Sequence, residues 1–341
     1  MSVPESRLVV LQSVRKPSSR TNPYIIQLVD SLAEHVDVRY FDWRFGLLGH
    51  YDLLHLHWPE VMLRRDGRVQ RWSAMARFFL LMLRLTLTRR IAVVRTLHNV
   101  GVHESGGRVE RLLLAWCDRR TDGWIALNPQ TRAPRGARPT VILHGDYTTW
   151  FASYPVPSRR PGRLLYFGLI RPYKGIDGLL AAYAATDDPD SRLRIVGKPV
   201  NRGLTETVEA AEATDARISA LLDYVDDETL ANEVGQADLV VLPYQDMHNS
   251  GALLLALSLG RPVLVPQAPV TVALAEEVGP EWVHTYPDSL TPEALTKALA
   301  AVAAPANGRA STPDLSRRSW DLIAAQHQAV YRELAGTKGF S

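Results

Sequence analysis

The chain has 341 residues, 46% hydrophobic and 22% charged, enough for two domains with sizeable cores. Its formal net charge of +3 is too small by itself to argue for nucleic acid, and no RNA- or DNA-binding signature is present. The single Cys117 excludes an intramolecular disulfide and the usual cysteine-based zinc sites. It sits in LLLAWCDRR, a helical apolar pattern, so a buried thiol in a reducing cytosol is expected. No apolar stretch follows a basic start at the N-terminus, so no signal peptide is expected. No run of about 18 uncharged apolar residues is available to span a bilayer.

In chain order, Arg7 to Leu11 reads as a buried strand, followed by a basic loop with Arg15, Lys16 and Arg20. Asn22-Pro23 caps a helix over Tyr24 to Glu34, and Val36 to Phe41 is a second strand. This β-loop-α-β opening is the start of a doubly wound sheet, without a Gly-x-Gly-x-x-Gly turn. Tyr51 to Trp58 is a third strand that Pro59 stops, which places His57, Trp58 and Glu60 at the sheet's C-terminal edge. Arg64 to Arg90 holds eight arginines against one carboxylate, Asp66. On a helix, Trp72, Met75, Phe78, Phe79, Met82 and Leu85 share a broad face opposite Ser73, Arg77, Arg84 and Thr88. Core packing and contact with an anionic membrane surface are both compatible with that face. Strands follow at Ile91 to Leu97, ending in His98, at Gly123 to Leu127, and at Thr140 to Leu143, running into His144-Gly145.

Tyr154 to Gly162 is Pro-rich and polar, the clearest linker in the chain. Beyond it, Arg163 to Phe167 is a strand feeding the turn Gly168 to Gly175. Arg171 and Lys174, three apart around Pro172, put two cations on a strand-end turn, which suits a diphosphate. A strand over Arg192 to Val196 is followed by Gly197-Lys198. Arg217 to Tyr224 is a helix or strand leading into Val225, and Asp226-Asp227-Glu228 opens a helix. Leu239 to Leu242 is a strand. Asn249-Ser250-Gly251 then precedes an apolar helix whose free amides form a second anion site. A last helix, from Ser319 to Leu334, sets Trp320, Ile323, His327, Val330 and Tyr331 on one face.

These motifs, above all LLYFGLIRPYKG (164–175) and the stretch 237–266, resemble the family-4 type of GT-B glycosyltransferases, and the likeness covers most of the chain. It implies an α/β fold of two doubly wound, Rossmann-like domains facing a cleft. Residues 1–153 would be the acceptor-side domain, 154–318 the nucleotide-sugar domain, and 319–341 a helix crossing back to the first. The resemblance assigns the donor diphosphate to Arg171, Lys174, Asn249, Ser250 and Gly251. It assigns the nucleotide to Gly197, Lys198, Tyr224 and Val225, although a plain strand end also explains Tyr224-Val225. His98 matches the family's Thr-x-His histidine facing the sugar, and His144-Gly145 lies where the family has its hinge. Gly145 is also free to let backbone amides approach a ligand or to permit an unusual turn. The sequence departs from the family at its paired glutamates, whose positions carry Met247 and Leu255. Asp246, His248 and Asn249 are the candidates to take over the sugar contacts.

The expected activity is transfer of a sugar from a GDP- or UDP-sugar to a hydroxyl of a glycan or polyprenyl-linked acceptor. No metal or cofactor is expected, because cations and a helix start would carry the charge on the leaving phosphate. If the reaction inverts, Glu60, His103 and Glu104 are candidate bases, His103 and Glu104 being equally suited to a helix start. If it retains, the leaving phosphate accepts the proton. The 64–90 segment suggests a peripheral position on the inner face of the cell membrane. The lost glutamates also leave room for a non-catalytic partner subunit or, less well, a nucleotide-sugar epimerase or hydrolase.

Overall fold

A computed structural model of the protein describes residues 7–18, 21–98, 107–245, 247, 249–303 and 312–339. The chain forms two compact units, residues 1–145 with 318–341, and residues 146–317. The change of unit comes at 145/146, ahead of the Pro-rich stretch. The reason is local: Tyr147 and Phe151 bury their rings in the core of the second unit.

The first unit is a parallel sheet of β1 (Val9–Gln12), β2 (Asp37–Tyr40), β3 (Leu53–Leu56), β4 (Ala92–Leu97), β5 (Gly123–Ala126) and β6 (Thr140–Val141), in the order β2-β1-β3-β4-β5-β6. Its central strands are apolar on both faces, as parallel strands covered on two sides must be. The strand order reverses between β1 and β3, and the loops leaving that edge flank a crevice. The helices are α1 (Pro23–Leu32), α2 (Trp43–Leu48), α3 (Pro59–Leu63), α4 (Arg68–Leu87) and α5 (Arg108–Arg120). Asn22 caps α1 by accepting from the Tyr24 amide. Cys117 is buried on α5, and burial pushes its thiol up to about 12.

Helix α4 corrects the face read from the sequence. Met75, Phe78, Met82 and Leu85 are buried, together with Leu81, in one core of the unit. Trp72 and Phe79 are not part of it. They stand exposed with Val69, Leu80, Leu83 and Leu87, all within about 100° of helical arc. Arg84 and Arg77 are also used internally. Arg84 donates to the carbonyls of Gly46 and Gly49, closing the end of α2, and stacks over Tyr51. Arg77 lies over Trp43.

The second unit is a parallel sheet of β7 (Arg163–Phe167), β8 (Arg192–Val196), β9 (Ile218–Leu221), β10 (Leu239–Val241), β11 (Val263–Pro266) and β12 (Val283–Tyr286), in the order β12-β11-β10-β7-β8-β9. Of the segment 217–224, Ile218–Leu221 is thus a strand and no part is helix. The reversal lies between β10 and β7. The helices are α6 (Thr148–Phe151), α7 (Ile176–Ala184), α8 (Arg202–Thr214), α9 (Asp227–Gly235), α10 (Gly251–Ser258), α11 (Pro269–Val278) and α12 (Pro292–Ala303). The chain ends in α13 (Trp320–Gly336), which packs on α1 in the first unit and buries Ile323, Ala324, Val330 and Tyr331 there. Among the described residues, no helix is long and apolar enough to cross a membrane.

Candidate active site

In the first unit, the apolar strands β1, β3 and β4 carry polar residues close to or just beyond their C-terminal ends. Gln12, His55, His57 and Thr96 lie near the C-terminal ends of these strands, all but fully buried. His98 follows β4. Its ring stacks on Trp58 at 4.0 Å between centroids and 24° between planes, and meets Tyr24 edge-on at 5.4 Å. His98 Nε2 lies 3.0 Å from His57 Nδ1. Burial, then the neighbouring His57, holds His98 well below the usual imidazole range, so it is neutral at pH 7. His57 is lowered to about 3 by burial first and His327 second.

The other sequence candidates of this unit are placed differently. Glu60 is turned away from His98. Its carboxylate lies 3.9 Å from Arg95, which also binds Asp118. Arg95 and Thr96 are neighbours on β4 and so point to opposite faces, and the histidines are on the Thr96 side. His144 is buried, its Nδ1–H donating to the Gly145 carbonyl at 2.8 Å and its ring 4.6 Å from Tyr24. Gly145 has a packing reason of its own: any side-chain carbon there would overlap the Trp320 indole. His103 and Glu104 lie outside the described residues.

A cavity of about 400 Å³ opens beside the histidines. Phe41, Trp43, Trp58, Arg15 and Arg65 are among its walls, and Trp58 is the ring that stacks on His98. Flat aromatic faces with cations beside them suit a sugar bearing or adjoining an anion.

In the second unit the candidates gather at the C-terminal ends of adjacent strands. Arg171 and Lys174 follow β7, Gly197 and Lys198 follow β8, Tyr224 and Val225 follow β9, and Asn249, Ser250 and Gly251 follow β10. The 172–174 turn is docked on the β10 exit: Gln245 N–H donates to Tyr173 O at 2.9 Å. Gly175, at φ 70°, has no room for a side chain because one would overlap Pro243 O. Lys174 Nζ lies over the Tyr244 ring at 4.8 Å. Burial and then Arg171 bring its ammonium down to about 8, so a partly desolvated cation stands near a second, exposed one. Ser250 caps α10 by accepting from the Leu253 amide at 3.2 Å, which leaves the first-turn amides directed off the helix start. Tyr224 is 72% exposed, while Gly197 is buried and abuts the Gly168 carbonyl. Asp246 and His248 lie outside the described residues.

Sequence reading did not single out Gln12, His55, Tyr24 or Tyr331 as parts of the site. A signal existed for the first two. A polar residue at the end of an otherwise apolar buried strand needs a partner, and two histidines two apart share a strand face.

Residues 161–304 match the family model for glycosyl transferases of group 1. Over 333 residues the chain is 48% identical to the GDP-mannose:glycolipid 4-beta-D-mannosyltransferase of Xanthomonas campestris pv. campestris, covering 98% of this chain and 94% of that protein. Among solved structures it is similar to sucrose-phosphate synthase from Thermosynechococcus elongatus, with TM-score 0.63 at 19% identity over 96% of this chain and 99% of that one. It is likewise similar to a glycosyltransferase from Rickettsia africae, with TM-score 0.63 at 14% identity over 96% and 98% of the two chains. The likeness to these two structures is one of fold.

Proposed function

We propose that this chain, which belongs to the glycosyl transferases of group 1, moves mannose from GDP-mannose to a hydroxyl of a glycolipid, with inversion at the anomeric carbon. The observation that carries this reading is the 48% identity, over nearly the whole of both chains, to an enzyme named for that donor and acceptor. Mannose is α-linked in its GDP donor, so a β-linked product requires a single displacement. The acceptor oxygen bonds to C1, the bond from C1 to the β-phosphate oxygen breaks, and its electron pair leaves with GDP. Arg171, Lys174 and the first turn of α10 would hold the diphosphate and take the charge that grows on it. His98 would meet the mannosyl group and its phosphate. A base must take the acceptor proton, and the Arg95 contact makes Glu60 the poorest of the three candidates. With cations placed for the diphosphate, no metal is assigned a step.

The test is an assay with GDP-mannose, UDP-glucose and dTDP-glucose against lipid extracts. Only GDP-mannose should be consumed. Equal use of a UDP-sugar would overturn the donor assignment.

The acceptor class also gives a reading for the exposed stripe on α4. Trp72, Leu80, Leu83 and Leu87 would enter the lipid interface, with Arg68, Arg71, Arg89 and Arg90 near anionic headgroups. Vesicles containing phosphatidylglycerol should bind the protein at low salt. Leu83→Ser with Leu87→Ser should weaken that binding at least 10-fold, since a fully buried leucine is worth about 1.5–3 kcal/mol. Failure of the wild type to float with such vesicles would remove the membrane assignment.

A further inference from the structure

Behind His98 runs a continuous chain of buried polar groups. His57 Nε2 is 2.9 Å from Gln12 Oε1. Gln12 Nε2 is 3.4 Å from the Tyr331 hydroxyl. That hydroxyl is 2.7 Å from His55 Nδ1, and His55 Nε2 is 2.7 Å from Thr96 Oγ1. Gln12, His55, His57, Thr96 and Tyr331 are each at most 2% exposed.

The amide orientation of Gln12 fixes the protons on His57 and His98. Its oxygen accepts from His57 Nε2–H, so His57 Nδ1 is an acceptor. His98 Nε2–H must then donate to it. On the other side, the Gln12 amide N–H donates to the Tyr331 oxygen. The arrangement that also gives the Tyr331 proton an acceptor within this chain has Tyr331 O–H donating to His55 Nδ1 and His55 Nε2–H donating to Thr96. No member has to be charged, which suits a region where burial disfavours imidazolium at His55, His57 and His98 alike. A fully satisfied buried network of this kind holds its members in one geometry, whereas a broken one leaves a costly orphan.

We propose that His57, Gln12 and Tyr331 are positioning residues for His98: they fix its ring plane and its neutral Nε2–H form. Tyr331 lies on α13, so the C-terminal helix is part of the reaction site and not only a packing element. This inference rests on the mannosyl-transfer reading for what His98 meets, but the arrangement itself can be measured without any donor.

Nitrogen-15 long-range correlation spectra of the histidine-labelled full chain, assigned with His98→Gln, should show His98 protonated on Nε2 at pH 7.5. Tyr331→Phe keeps the ring and removes the hydroxyl, and it should move the His98 signals. His57→Leu should lower kcat about 10- to 100-fold, the usual cost of slightly misplacing a reacting group. The GDP-mannose KM should stay within about 2-fold, because the diphosphate candidates belong to the other unit. His57→Asn retains an acceptor where Nδ1 was and should recover most of the lost kcat. His98 protonated on Nδ1, or a Tyr331→Phe spectrum unchanged at His98, overturns the proposal. So does a folded His57→Leu variant with wild-type kcat. Absence of mannosyl transfer by the wild type would instead count against the donor reading and leave the spectra to decide the network.

Discussion

Acidification below about pH 6.5 should lower the stability of this protein by several kcal/mol. His55, His57, His98, His144 and His327 are all neutral groups of the first unit held below the ordinary imidazole range by burial. His144 and His327 are lowered to about 4. In the unfolded chain each returns to about 6.5. Between those values the unfolded state binds more protons than the folded one, so stability is complete above pH 6.5 and falls as the pH drops. At pH 5 a group lowered to about 3 or 4, as His57, His144 and His327 are, withdraws about 2 kcal/mol. His55 and His98 act in the same direction. Urea unfolding followed from pH 8 to pH 5 should show the midpoint collapsing over that interval. His327→Leu should make the fall shallower, since its Nε2 is buried without a hydrogen-bond partner and its loss removes one titrating group. A midpoint equal at pH 7.5 and pH 5 would mean that these imidazoles are not buried as described.

Replacing Arg171 and Lys174 should abolish transfer while leaving the fold intact or steadier. Each cation placed against the leaving diphosphate is worth on the order of 10²–10³ in turnover, so Arg171→Ala with Lys174→Ala should bring the rate close to background. Stability should move the other way. Lys174 is depressed to about 8 because burial and Arg171 both disfavour its charge, so removing either cation relieves an unfavourable pairing. The melting temperature should therefore hold or rise, and its increase with added GDP should vanish. A large drop in melting temperature would assign the pair to structure instead of donor binding.

Much of this was legible in the sequence because it depends on short-range chemistry. Apolar runs such as LVVL and LLYF are long enough for one buried strand each and end in turn residues, so the two sheets could be read off. The Asn22 and Ser250 caps were legible for the same reason, since a cap is a local hydrogen bond, and Asp226, read as one of three acids opening a helix, is the cap of α9. What escaped depends on distant partners. Tyr331 stands 319 residues from Gln12, and nothing local to either shows that they meet. The same holds for Gly145, whose missing side chain makes room for Trp320. On α4, helical spacing gave a broad apolar face. Which part of it the core would take was decided by α2, α3 and α5, which pack against one side only. Arg77 and Arg84 read as free surface charge, yet their partners are on α2 and the loop after it.

The central claim is tested most directly by the linkage of the product. The purified protein, given GDP-mannose and a glycolipid acceptor, should release GDP and attach one mannose. The one-bond C1–H1 coupling of that residue, read by NMR, should be that of a β-mannoside. An α-mannoside would mean that the anomeric centre is retained, and the inverting displacement, with the base it requires, would be wrong.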